Sequence, residues 1–193
     1  MLKLVVATGN PGKLKEMQAY LTGLDCELAL KPKELEIEET GTTFAENACL
    51  KASQVAQAVG EWAIADDSGL AVDALDGAPG LYSARYGSSE ADCIARVLRE
   101  LGDRRDRSAA FICVVAIARP DGSIALQTEG KCPGEILDAP RGRGGFGYDP
   151  IFYMPEHQQS FAEMSAELKH QVSHRGIAFA KLLPALAQLV KTA

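Results

Sequence analysis

Short apolar runs and longer amphipathic segments follow one another along the chain. Apolar runs at residues 2–7, interrupted only by Lys3, at residues 62–65 and at residues 109–118 predict buried strands, the second of which reaches Asp66. Leucine, isoleucine and valine residues three or four positions apart predict helices after residue 13, over residues 94–101 and over residues 177–190. The pattern therefore predicts that strands and helices alternate through most of the sequence.

Several local signals predict where these elements begin and end. Thr43-Phe44-Ala45-Glu46 matches a capping box and predicts the start of a helix that Gly60 ends. Pro120-Asp121-Gly122 predicts a hairpin turn after the apolar run 109–118. Residues 73–87 are rich in glycine, alanine and aromatic residues without a clear period, which predicts a long functional loop. Pro184 predicts a kink in the last helix.

Two adjacent carboxylates follow one of the apolar runs, in the segment Ala65-Asp66-Asp67-Ser68-Gly69-Leu70. The Ser-Gly pair after them predicts a turn, so the carboxylates are expected at the end of a strand. Neighbouring carboxylates that ionise together repel each other unless a divalent cation or a basic ligand offsets their charge. A solvated acidic turn is the alternative interpretation.

Composition limits the classes of function. The chain has 193 residues, of which 47% are hydrophobic, and this predicts a single domain over residues 1–193. The net charge of -6 argues against general binding to nucleic acid. No apolar run approaches a membrane span, no signal peptide pattern is present, and the five cysteines show no pairing motif. These features predict a cytoplasmic protein.

A loop between the first strand and the first helix has the sequence Thr8-Gly9-Asn10-Pro11-Gly12-Lys13. A glycine-containing loop that opens a helix presents backbone N–H groups and the positive end of the helix dipole, which suits a phosphate chain. The spacing is too short for a P-loop, and an ordinary strand-to-helix turn is the alternative.

Three further segments combine glycine, charge and aromatic rings. Glu39-Thr40-Gly41 precedes the capped helix, on which Lys51 lies among small residues. The segment 145–150 interleaves Phe146 and Tyr148 with glycines and ends in Asp149-Pro150, so a planar base could stack there. Ser173-His174-Arg175 places two cations in the first turn of the last helix, where they oppose the helix dipole and indicate a ligand nearby.

Taken together, these segments resemble the inosine/xanthosine triphosphate pyrophosphatases, which remove non-standard purine nucleoside triphosphates. The resemblance runs from the first strand to the last helix. It implies an elongated α/β fold with a mixed sheet in two lobes, flanking helices, and a nucleotide in the cleft between the lobes. It also implies a homodimer, Mg²⁺ as cofactor, and hydrolysis of a small-molecule nucleotide (ITP, dITP or XTP) to the monophosphate and pyrophosphate.

The resemblance also implies roles for individual residues. Asp67 is the expected catalytic base, and Glu39 and Asp67 are the expected Mg²⁺ ligands, with Asp66 as a helper. Phosphates are expected at Thr8, Asn10, Lys13, Lys51 and Lys169. The purine is expected to stack on Phe146, and its edge to be read by Asp149, His174 and Arg175. The remaining expected substrate-binding residues are neighbours of these: Gly9, Pro11, Gly12, Ser68, Gly147 and Tyr148.

A donor from His174 or Arg175 to the 6-oxygen would exclude adenine, which carries a donor at that position. Two alternatives remain open. One is a Maf-like nucleotide pyrophosphatase with another base preference. The other is a nucleotide-sensing module that binds phosphates without hydrolysis, although the acidic residues Glu39, Asp66 and Asp67 would repel phosphate unless a metal is present.

Overall fold

The computed structural model describes residues 2–192, which form seven strands and five α-helices. The strands are β1 (Leu2–Val6), β2 (Cys26–Leu30), β3 (Trp62–Val72), β4 (Ser108–Ala118), β5 (Ile124–Ile136), β6 (Phe152–Met154) and β7 (Gln159–Ser160). The helices are α1 (Pro11–Tyr20), α2 (Phe44–Val59), α3 (Glu90–Leu101), α4 (Ala166–Val172) and α5 (His174–Thr192). In residues 2–192, no helix is both long enough and apolar enough to cross a membrane.

The strands form one mixed sheet in the order β2-β1-β3-β4-β5-β6-β7. Strand β1 is parallel to both β2 and β3, whereas β6 is antiparallel to both β5 and β7. The predicted α/β fold with a mixed sheet and flanking helices is therefore confirmed.

The chain divides into two compact units. The first unit contains residues 2–67, 113–130 and 175–192, and the second contains residues 68–112 and 131–174. The prediction of a single domain concerns independent folding, which this division does not test, and it stays a prediction.

In the first unit, apolar side chains cover both faces of the sheet. Ile64 and Val115 face α1 and α5, where they pack with Met17, Phe179 and Leu182. The neighbouring strand residues point the other way and pack on α2, as the alternation of side chains along a strand requires; they include Ala63, Ala65, Val114 and Ala116. Both cores exclude water, so charged side chains among them need partners.

In the second unit, aromatic rings form the densest part of the core. Phe111 on β4 lies 4.6 Å from Phe152 on β6 and 5.7 Å from Phe161, measured between ring centroids. All three rings are buried. The cluster packs β6 and Phe161 against the start of β4.

Some predicted features agree with the structure, and others do not. Helix α2 begins after Thr43, whose Oγ1 accepts from the N–H of Glu46, and it ends at Gly60 in the left-handed conformation. The predicted loop 73–87 instead contains two short 3-10 helices, Asp73–Leu75 and Gly80–Arg85. Helix α5 contains Pro184, and the kink or joint expected there stays a prediction, whereas α4 lies where no helix was predicted.

Candidate functional site

The two adjacent carboxylates lie inside a strand rather than at its end. Strand β3 runs from Trp62 to Val72, so the turn predicted at Ser68-Gly69 is wrong. Neighbouring strand residues point to opposite faces of a sheet. Asp66 therefore points toward α1 and α5, and Asp67 points toward α2. The two carboxylates therefore point apart, and each forms direct ion pairs with different cations.

Asp66 is the centre of a buried charge network in the first unit. Its Oδ2 lies 3.1 Å from Lys13 Nζ on α1 and 3.0 Å from Arg175 Nη2 on α5. Arg175 Nη1 also pairs with Glu16 on α1. The side chains of Asp66 and Arg175 are 0% and 2% exposed, so neither charge is hydrated to any extent.

The network fixes the charges of its members. Burial alone would raise the pKa of Asp66, but the cations of Lys13, Arg175 and Lys51 outweigh it and hold that pKa well below its ordinary value. Burial likewise opposes the charge on Arg175, and Asp66 outweighs it, so the pKa of the guanidinium is raised. Burial and the Asp66 charge raise the pKa of the neighbouring Cys113 thiol to about 12.

The loop at residues 8–13 is built around Asn10. Its side-chain oxygen caps α1 by accepting from the N–H groups of Gly12 and Lys13 at 2.9 and 3.2 Å. Thr8 Oγ1 accepts from the N–H of Asn10 at 3.1 Å, and Pro11 is the first helical residue. Nothing would contact a side chain added at Gly9, so the loop is open at that residue. These contacts direct the side chain of Lys13 toward Asp66.

Asp67 shares a cation with Glu39. Lys51 Nζ on α2 lies 2.8 Å from Asp67 Oδ1 and 2.8 Å from Glu39 Oε1. Burial would lower the pKa of Lys51, but Asp67 and Asp66 outweigh it and the pKa is raised, so Lys51 remains an ammonium ion. Lys51 is buried, and the prediction left open whether it would reach solvent.

The segment that carries Glu39 is tied to the start of α2. The N–H of Gly41 donates to Asn47 Oδ1 at 2.8 Å. A Cβ added to Gly41 would lie 2.6 Å from that oxygen and 2.7 Å from Glu46 Cβ, so only glycine permits the contact. The tie holds the acidic segment against the helix that carries Lys51.

The donors in this region fit a hard divalent cation. Glu39 and Asp67 direct carboxylate oxygens, the ligand type that Mg²⁺ prefers, at one point of positive charge. Among residues 2–192, Asp66 Oδ1 is buried without a hydrogen-bond partner, which is a feature expected where an ion or water binds. Within the same residues, no three His, Cys, Asp or Glu side chains form a complete metal cage. A bound ion would therefore complete its coordination with water or with a substrate.

A second group of predicted residues lies in the second unit. Asp149 Oδ2 accepts from the N–H of Phe146 at 2.8 Å and from Lys169 Nζ at 2.6 Å. The same ammonium group lies 4.7 Å from the centre of the Phe146 ring. Gly145 has φ +72°, and a Cβ there would lie 1.9 Å from Asp149 Oδ2. The glycine thus allows Asp149, Lys169 and Phe146 to meet.

Tyr148 and His174 are fixed by packing. Tyr148 donates to the carbonyl of Ser83 at 2.7 Å, and this hydrogen bond ties the segment 145–150 to the 3-10 helix at residues 80–85. Burial raises the pKa of the Tyr148 hydroxyl, which therefore stays protonated and able to donate. Gly147, with φ +60°, makes the turn between Phe146 and Tyr148. The buried ring of His174 stacks on Phe111 at 4.6 Å. Ser68 is a half-buried residue of β3.

The structure gathers the predicted residues into two groups, one in each unit. The first contains Thr8, Asn10, Lys13, Glu39, Lys51, Asp66, Asp67 and Arg175, and the second contains Phe146, Asp149, Lys169 and His174. The sequence analysis did not predict two residues that contact these groups, Glu16 and Phe111. Glu16 lies three positions after Lys13 on one helix face, which was a usable signal. Phe111 gave no signal, because its sequence neighbours are ordinary strand residues.

Comparison with known proteins gives a consistent result along the whole chain. Residues 4–185 match the model of the Ham1 family. A dITP/XTP pyrophosphatase from Nostoc sp. is 67% identical over 98% of this chain and 96% of its own. A dITP/XTP pyrophosphatase from Synechocystis sp. is 67% identical over 95% of this chain and 94% of its own. The solved structure of a HAM1 protein from Coxiella burnetii is 42% identical in sequence, with 100% of both chains covered and a TM-score of 0.89.

Proposed function

The chain belongs to the Ham1 family, and from this premise we propose that it hydrolyses dITP, ITP and XTP to the monophosphate and pyrophosphate. The observation that carries the proposal is the 67% identity, over 98% of the chain, to a protein named dITP/XTP pyrophosphatase. The buried charges of the first unit support it, because few structural needs explain two buried carboxylates and two buried cations in one unit.

The first unit supplies the groups for the triphosphate. We assign Lys13 and Lys51 to phosphate oxygens, with Thr8 and Asn10 shaping the loop beside them. Asp67 acts as the general base that takes a proton from the attacking water, because its carboxylate lies outside the Asp66–Arg175 network. Attack at the α-phosphorus releases pyrophosphate and leaves the nucleoside monophosphate.

We propose Mg²⁺ as the cofactor, held by Glu39 and Asp67. The helper role of Asp66 stays a prediction, because its carboxylate points to the other face of β3. When bound, the ion would withdraw charge from the phosphate oxygens and so favour attack at phosphorus. The chain's own lysines neutralise the remaining oxygens. Positioning and charge stabilisation therefore account for catalysis.

The second unit supplies the groups for the base. Phe146 offers a ring face, Asp149 an acceptor, and Lys169 a donor that is already bound to Asp149 beside that ring. We therefore assign Lys169 to the base rather than to the phosphates predicted from the sequence. His174 or Lys169 donates to the 6-oxygen. Adenine would bring its amino group against these donors, and a buried mismatch of this kind discriminates by about 1–3 kcal/mol.

The donors of Arg175 are directed at Asp66 and Glu16 in this structure. Its predicted role at the base edge stays a prediction. The cytoplasmic location and the homodimer implied by the family resemblance are proposals too. Gel filtration with light scattering tests the dimer.

A nucleotide panel tests the function. Pyrophosphate release from dITP, ITP, XTP, GTP, ATP and dTTP is measured with Mg²⁺, inorganic pyrophosphatase and a phosphate dye. We expect high kcat/KM for dITP, ITP and XTP only, and loss of release in Asp67→Asn. Preference for dTTP would favour a Maf-like enzyme, and tight ITP binding without release would favour a sensor.

A further inference from the structure

One ammonium group lies between the two carboxylates assigned to the metal. Lys51 Nζ is 2.8 Å from Asp67 Oδ1 and 2.8 Å from Glu39 Oε1. It comes from α2, where the small residues Ala48 and Ala52 are fully buried beside it. The Lys51 side chain is 9% exposed, so water could not easily replace the carboxylates of Glu39 and Asp67 as hydrogen-bond partners of its ammonium group.

A divalent cation and this ammonium group compete for the same oxygens. Mg²⁺ binds oxygen at about 2.1 Å. With the ammonium nitrogen 2.8 Å from each oxygen, an ion on either one would lie within about 5 Å of that nitrogen. Two positive charges that close repel strongly where the surroundings exclude water. The ammonium group therefore weakens binding of the ion to both oxygens as long as it stays between them.

A nucleotide supplies what the displaced ammonium group needs. Its phosphate oxygens can accept from Lys51 and also complete the coordination of the ion, for which residues 2–192 offer no full cage. The exchange keeps the charges balanced: the ion replaces the ammonium group at Glu39 and Asp67, and phosphate replaces the carboxylates at Lys51.

We propose that Lys51 is a built-in cation that holds Glu39 and Asp67 and suppresses metal binding until a nucleotide arrives. The enzyme then takes up the ion and the triphosphate together, and Lys51 transfers from the carboxylates to the phosphates. The inference rests on the proposed function, because it takes the metal site and the phosphate site from it.

Metal binding without nucleotide tests the inference directly. Free Mn²⁺ is measured by its electron paramagnetic resonance signal during titration of the nucleotide-free protein. The variants are Lys51→Met, Lys51→Arg and Lys13→Met. Lys13→Met is the matched control, because it removes the same charge from a cation that pairs with Asp66 instead of the two assigned ligands. Thermal melting in chelator shows whether each variant is folded.

We expect Lys51→Met to bind Mn²⁺ about ten- to a hundredfold more tightly than the wild type, because the competing charge is gone. Lys51→Arg should stay within about threefold of the wild type, since it keeps that charge. Lys13→Met should change the affinity by clearly less than Lys51→Met. Adding a non-hydrolysable ITP analogue should tighten Mn²⁺ binding in the wild type much more than in Lys51→Met.

Equal gains in Lys51→Met and Lys13→Met would overturn the inference, because they would show a general charge effect. Unchanged Mn²⁺ affinity in folded Lys51→Met would overturn it as well. If Lys51→Met does not fold, the titration of the wild type with and without the analogue tests the inference instead. Tight binding of Mn²⁺ to the wild type in the absence of nucleotide would then overturn it. None of these results depends on pyrophosphate release, so a failure here is distinguishable from a failure of the nucleotide panel.

Discussion

Replacing Arg175 with methionine tests the buried network around Asp66. The substitution keeps an unbranched apolar stem and removes the charge. Asp66 then retains Lys13 at 3.1 Å but loses the contact at 3.0 Å with Arg175, while its side chain remains 0% exposed. Removing one partner of a buried ion pair costs about 3–5 kcal/mol. Because Lys13 remains, we expect the lower end of that range.

Urea unfolding at pH 7, followed by the fluorescence of the sole tryptophan, measures this loss; Trp62 lies at the start of β3. For an m value of about 2 kcal/mol/M, a loss of about 3 kcal/mol lowers the midpoint by about 1.5 M. Lys3→Met is the control, because it removes a cation from the exposed pair with Glu61 and should change stability by at most about 0.5 kcal/mol. A midpoint for Arg175→Met equal to that of Lys3→Met would refute the reasoning.

The pH dependence gives a second readout with a definite sign. The pKa of Asp66 is lower in the folded protein than in the unfolded chain, so its ionised form stabilises the fold above about pH 4 and this contribution is lost as pH falls. In Arg175→Met that pKa rises, and protonation relieves the poorly compensated charge. The stability difference between variant and wild type should therefore shrink below about pH 5. A difference that grows on acidification would contradict the assignment.

Three further predictions concern the two residue groups. Asp67→Asn should lower kcat for ITP by about a hundredfold or more, measured by pyrophosphate release, and calorimetry should show a folded protein with a lower melting temperature, because Lys51 loses one of its two carboxylate partners. Gly145→Ala places a Cβ 1.9 Å from Asp149 Oδ2 at φ +72°, so KM for ITP should rise and stability should fall by about 1–3 kcal/mol; an unchanged KM would contradict it. Phe111→Leu removes the ring stacked on His174 and should cost about 1 kcal/mol or more in urea unfolding, with a higher KM for ITP.

Local patterns predicted the elements well where local forces decide them. The capped start of α2 and its end at Gly60 follow from side-chain and backbone preferences within a few residues. The prediction of a turn at Ser68-Gly69 is wrong because β3 is hydrogen-bonded between β1 and β4. This strand pairing overrides the turn preference of the two residues. Elements that depend on remote partners, such as the two-residue strand β7, have no comparable local signal.

The candidate site shows the same division. The residue types and their order predicted which positions would carry charge and rings. The partners of each charge could not be predicted, because Lys13, Lys51 and Arg175 reach the same strand from three different helices. Lys169 illustrates the consequence. Its charge fits a phosphate role in the sequence, whereas its contacts with Asp149 and Phe146 favour the base.

The alternation of β3 resolves the problem that two consecutive carboxylates pose in the sequence. If both side chains pointed to the same face, the two negative charges would repel each other, and a cation between them would be needed to offset the repulsion. Because they point to opposite faces, Asp66 is neutralised by Lys13 and Arg175, and Asp67 by Lys51. Their chemistry then separates. Asp66 is locked into a buried network that holds α1 and α5 on the sheet, whereas the lysine on Asp67 also serves Glu39, and a single movement of that lysine would release both carboxylates together.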